Sequence, residues 1–149
     1  QKYRHGWSRH RCRDQTANGL TMMPWKQGRC LVWDVTCPDT LAPSHLNCAV
    51  TGQGAAATEA EVNKRLKYEE ISRTFHFIPI AVETLGPLGD DAMAFMKDLG
   101  GRIKTVSQES RAFEFLMQRV SVAIQRGNAA CVLGTVPSTS ALDDIYYLV

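Results

Sequence analysis

The sequence predicts an α/β domain in which a small mixed β-sheet is flanked by helices, in the order β-β-α-β-α-α. Three observations predict it. Two β-branched, nearly continuous apolar runs, Cys30 to Thr36 (CLVWDVT) and Phe75 to Val82 (FHFIPIAV), read as strands of a buried sheet. A stretch dense in Ala and charge, residues 55–73, lies between them and reads as a crossover helix. Beyond the second run, apolar residues recur at helical spacing.

In chain order, residues 1–17 read as a basic arm, 18–134 as the domain and 135–149 as a loose tail whose apolar end (Ile145, Tyr146, Tyr147, Leu148) is expected to dock on the core. Leu20 to Trp25 (LTMMPW) is short and apolar, and Pro24 places it at a sheet edge, because proline has no N–H for a ladder. Lys26-Gln27-Gly28-Arg29 is a polar turn, so this strand and Cys30 to Thr36 form a hairpin. Residues 37–54, with Pro38, Pro43, Gly52 and Gly54, form a long loop of the kind that often carries function. On the crossover helix, Val62, Leu66, Tyr68 and Ile71 are the expected buried stripe. Gly86, Pro87 and Gly89 mark a turn, and Asp90-Asp91 suit a helix start. Met93, Met96, Leu99, Ile103 and Val106 carry that helix, with Gly100-Gly101 weakening its middle. Phe113, Leu116, Met117, Val120 and Ile124 carry the last helix, which Gly127-Asn128 are expected to cap.

Composition bounds the function classes. A chain of 149 residues, 44% hydrophobic and 21% charged, fits one globular domain with its own core. No apolar run approaches the ~18 residues of a membrane span. The first residues have no apolar h-region, so no secretory signal is expected. The sequence does not start with Met, as expected of a fragment of a longer product or of a partial gene model. Its cysteines (Cys12, Cys30, Cys37, Cys48 and Cys131) are odd in number and lack C-x-x-C spacing, which reads as thiols in a reducing, intracellular compartment. A zinc site from His5, His10 and Cys12 matches no common ligand spacing. Net charge is only +2, but Lys2, Arg4, Arg9, Arg11 and Arg13 all precede the first acid, Asp14. Such an arm either contacts nucleic-acid phosphates, releasing counterions, or is a solvated terminus.

Asp34 is the most informative residue, because a carboxylate inside VWDVT is buried at a cost unless it is paired or bound to a cation. Loop amides are one partner open to it, and a metal is another. Asn18, just before the first hairpin strand, can approach Asp34 across the ladder. Lys64 and Lys67 lie three apart on the following helix, which packs back on the strand, and Glu83 ends the neighbouring strand. Asp34, Asn18 and Glu83 are candidate metal ligands, with Lys64 and Lys67 as candidate catalytic cations. Carboxylates that hold Mg²⁺ (or Mn²⁺), beside a lysine that stabilises charge, suit phosphodiester hydrolysis.

A longer pattern supports this grouping. It runs through Asn18-Gly19-Leu20-Thr21, Pro24-Trp25, Leu31 to Cys37, Asp39-Thr40-Leu41-Ala42, Ala55-Ala56, Lys64 and Lys67-Tyr68. It continues through Phe77-Ile78-Pro79, Val82 to Gly86 and Gln125 to Ala129. Over residues 15–149 the chain resembles the segment that follows the reverse transcriptase in many invertebrate retroelements. That segment is similar to the restriction-endonuclease-like, PD-(D/E)xK domain of early-branching non-LTR retrotransposons. The resemblance implies a Mg²⁺-dependent DNA endonuclease, a covalently linked upstream reverse transcriptase, DNA or RNA as partner, and action in the nucleus. The family's Pro-Asp falls on Ala17-Asn18 and its second acid on Asp34. The superfamily lysine position falls on Thr36, and in this branch its role passes to the helix, here Lys64 or Lys67 beside Tyr68. Asn18 in place of Asp removes a negative charge and implies impaired metal binding. A non-catalytic binding domain, or a structural remnant of a retroelement, is the alternative.

Overall fold

The computed structural model describes residues 17–40, 42 and 52–135. The basic arm, the tail beyond 135 and most of the loop after Pro38 lie outside the described residues. The order is β1 (Gly19–Lys26), β2 (Arg29–Thr36), α1 (Ala55–Lys67), α2 (Glu69–Thr74), β3 (His76–Ala81), α3 (Asp90–Ser107) and α4 (Ala112–Thr135). The architecture is mixed α/β, as expected, with a three-stranded sheet in the order β1-β2-β3. β1 and β2 are antiparallel, and β2 and β3 are parallel.

The hairpin turn is the two residues Gln27 and Gly28, both at positive φ (51° and 73°), inside the closing pair Lys26 and Arg29. That conformation matches the right-handed twist of the strands it joins. The ladder slips between Leu20 and Pro24. There the Thr21 hydroxyl accepts from the Leu31 N–H at 2.9 Å and donates to the Met23 carbonyl at 2.8 Å, so a side chain stands in for a ladder bond. β1 is an edge strand and Pro24 sits at the slip, where no N–H is required.

The crossover differs from the single helix expected over 55–73. The helix breaks at Tyr68 (φ −104°, ψ 24°), and α2 starts at Glu69. The break turns the Tyr68 ring onto β3, where it packs on Phe77 with centroids 4.8 Å apart and is only 2% exposed. The buried stripe is also different. Val62 and Leu66 are 51% and 71% exposed, whereas Ala56, Ala57 and Glu61 are buried. Small alanines let α1 approach the sheet closely. Glu61 can turn inward because it finds three buried donors.

Those donors belong to β3 and the start of α3. One Glu61 oxygen accepts from Ala81 N–H (3.2 Å) and Ala92 N–H (2.9 Å), and the other from Asp91 N–H (2.8 Å). A carboxylate from α1 thus satisfies N–H groups that the first turn of α3 would leave orphaned, and complements its dipole. Gly89 is required beside it, because a β-carbon there would overlap the Glu61 carboxylate.

α3 runs unbroken through Gly100 and Gly101. Gly100 is where α4 comes closest: a β-carbon there would lie 2.9 Å from Phe113 Cβ and 3.0 Å from Phe113 Cα. Gly100→Ala should therefore lower stability by about 1–3 kcal/mol, even though Ala gains about 1 kcal/mol as a helix former. A thermal melt of the variant checks this, and a raised Tm would contradict the close approach.

α4 does not end at Gly127-Asn128 but continues to Thr135. Asn128 uses its amide elsewhere, donating to the Thr84 carbonyl at 2.6 Å. It thereby ties α4 to the turn after β3 instead of capping its own helix.

Candidate functional site

The register sets the geometry. β1 and β2 pair Gly19 with Trp33 and Leu20 with Val32, which puts Asn18 opposite Asp34. The Asn18 side-chain oxygen accepts the Val35 N–H. On the other side Asp34 pairs with Pro79 of β3. Phe77 and Pro79 share the face of the sheet that α1 covers, and Asp34 points toward the same helix.

Lys64 reaches Asp34 from α1. Its ammonium donates to Asp34 Oδ2 at 2.6 Å, with the lysine side chain 26% exposed and the aspartate 6%. The Tyr68 phenol lies close enough to Asp34 and Lys64 to feel both charges. Burial pushes the phenol above its usual value, the Asp34 charge pushes it further, and Lys64 opposes them. Asp34, Lys64 and Tyr68 therefore form one buried cluster beneath the helix, with the lysine at its solvent side.

Lys67 does not enter the cluster. It is exposed, and its ammonium lies over the Tyr68 ring at 5.3 Å. Glu83 lies four residues beyond Pro79, the partner of Asp34, and two beyond the end of β3. Its carboxylate is buried and accepts the Ala56 N–H at 3.1 Å, in the first turn of α1. A tight turn fixes it there: Glu83 N–H donates to Pro87 O, Gly86 N–H donates to Glu83 O, and Gly86 takes φ 112°. Glu61 and Glu83 thus play matching parts, each holding the N-terminus of a helix from another element.

As it stands this donor set fits Mg²⁺ poorly, because that ion demands near-octahedral oxygen ligands and dehydrates reluctantly. Of the candidate ligands, Asp34 is already held by the Lys64 ammonium, Asn18 offers an oxygen already bonded to a backbone N–H, and Glu83 is committed to the Ala56 N–H. Among the described residues no three of His, Cys, Asp and Glu are grouped so as to hold a metal ion. What the arrangement offers is a partly exposed cation, Lys64, aimed by a buried anion, with the exposed Lys67 beside it.

Sequence reasoning brought forward Asp34, Asn18 and Lys64 but missed Glu61 and treated Tyr68 as core. A signal for both was present: Ala57, Glu61, Lys64 and Tyr68 follow i, i+4, i+7, i+11 spacing, a helical stripe written mostly in non-aliphatic residues. Among the described residues no helix is long and apolar enough to cross a membrane. Comparison with family models, curated proteins and solved structures found no match to this chain.

Proposed function

We propose that this chain is a nucleic-acid-binding domain of the retrotransposon endonuclease-like type, with Mg²⁺-dependent phosphodiester cleavage impaired at Asn18. The supporting observation is the Asp34–Lys64 ion pair, formed across a crossover helix with Asn18 opposite the same aspartate. Lys64 and Lys67 supply charge for a phosphate, and the arm residues Lys2, Arg4, Arg9, Arg11 and Arg13 add sequence-independent affinity. DNA is the first expected partner and RNA the second, with a reverse transcriptase joined upstream. A metal, Mg²⁺ or Mn²⁺, binds weakly because a single carboxylate serves the cluster.

Supercoiled-plasmid nicking in Mg²⁺ or Mn²⁺, run beside salt-titrated DNA binding, tests the reading. The unaltered chain should nick little or not at all. Asn18→Asp should restore part of the activity, because the added carboxylate faces Asp34, and Asp34→Ala in that background should remove the gain. Removing residues 1–13 should flatten the log–log salt dependence of DNA binding by about 0.9 for each phosphate that the arm no longer neutralises. Robust nicking by the unaltered chain would refute the impairment. A folded Asn18→Asp protein that binds DNA without nicking it would leave Asp34–Lys64 a structural ion pair.

A further inference from the structure

The starting ends of β2 and β3 lie side by side, with Leu31 opposite His76. The β1–β2 turn closes at the same end, so Lys26 and Arg29 stand beside His76. Arg29 also reaches α2, donating to the Ser72 carbonyl at 3.2 Å. Among the described residues neither Lys26 nor Arg29 forms an ion pair, whereas nearby Arg65 and Arg102 are paired with Asp91 and Asp98. Lys26, Arg65, His76, Asp91, Phe95 and Asp98 line a common cavity of about 250 Å³.

His76 reports the balance of charge at this end of the sheet. Burial lowers its titration most, Lys26 and then Arg29 lower it further, and Asp98 of α3 opposes them. From α1 and α3, Arg65 and Asp91 also line the cavity, but they are engaged with each other. The result is a half-buried imidazole beside two cations that no ion pair engages among the described residues, with Asp98 only partly offsetting them, an arrangement that an anion would relieve. Arg29 offers a planar fork of donors, Lys26 a point charge and His76 a ring N–H, and these are the groups phosphate oxygens take.

We propose that Lys26, Arg29 and His76 form a phosphate-binding site at the starting end of the sheet, which holds a backbone phosphate of bound nucleic acid about 10 Å along β2 from Asp34 and on the other face of the sheet. The identity of the ligand rests on the nucleic-acid reading above; the phosphate chemistry does not. By linkage, phosphate binding raises the His76 titration, and protonation of His76 tightens phosphate binding by the same factor.

The test uses the full chain with two probes, pyrophosphate and a short DNA duplex. The His76 ring titration is followed by NMR and assigned by its loss in His76→Gln. Duplex affinity is followed by anisotropy across salt. Both anions should move the His76 midpoint upward. Lys26→Gln with Arg29→Gln should move it upward without any anion. The same pair should weaken duplex binding about tenfold at low salt and flatten the salt slope by about 0.9 for each phosphate released. A His76 midpoint that neither anion moves overturns the site. Duplex binding that persists with its salt slope unchanged in the double variant also overturns it, while leaving the nucleic-acid reading in place. A response to pyrophosphate from a chain that does not bind the duplex overturns the nucleic-acid assignment and leaves a site for small phosphates.

Discussion

Glu61→Gln is expected to destabilise the fold by about 1–3 kcal/mol, and Glu61→Ala by several times that. Glu61 is 1% exposed and accepts three backbone N–H groups, from Ala81, Asp91 and Ala92. Glutamine keeps the shape but replaces one acceptor oxygen with an NH₂, so at least one buried donor meets another donor. Alanine leaves all three donors unsatisfied, and the total is comparable with the about 5–15 kcal/mol by which a domain is stable at all. Urea unfolding of the two variants at neutral pH measures this, and a Glu61→Gln loss near zero would mean that water replaces the carboxylate.

The pH dependence follows from the same residue. Burial raises the Glu61 carboxyl above its ordinary 4.5, the Asp91 charge raises it too, and the three N–H groups partly offset them. A raised carboxyl binds its proton more tightly in the folded state than in the unfolded one. Its contribution is therefore present below pH 4.5 and is lost as pH rises through the folded value. Glu61→Gln cannot titrate, so the stability difference between the two proteins should narrow as pH rises through that window.

The second large effect is expected at the ion pair. Lys64→Met should cost about 3–5 kcal/mol, because it leaves Asp34 buried without its cation. Asp34→Asn with Lys64→Met should recover most of that loss, since a buried ion pair is often worth little more than a neutral replacement. The two changes should be strongly coupled in a double-mutant cycle. Tyr68 gives an independent readout: without the Asp34 charge its phenol should titrate closer to the usual value of 10.0, as followed by phenolate absorbance. A Lys64→Met protein of nearly unaltered stability would show that Asp34 is solvated rather than buried.

The local chemistry of the chain determined a good part of this protein. The β-branched runs specify β2 and β3, and Gln27-Gly28 closes the hairpin. The hairpin in turn brings Asn18 across from Asp34. The crossover between parallel strands brings Lys64 over β2. The strands and the hairpin follow from period and turn chemistry, which act over short sequence distances, and the approach of Lys64 follows from the connectivity of the crossover, 30 residues along the chain from Asp34.

Only the tertiary structure decided which face of α1 is buried and what the acids do. Hydrophobic periodicity pointed to Val62 and Leu66, yet α1 turns Ala56, Ala57 and Glu61 to the sheet. A charged residue can lie inside when donors from distant segments meet it, and those donors are 20 to 31 residues away in sequence. The same holds for Glu83, whose carboxylate serves the first turn of α1 rather than Asp34. A carboxylate reads alike in sequence whether it will hold a cation or a helix end. The choice depends on which unpaired N–H groups the fold brings to it.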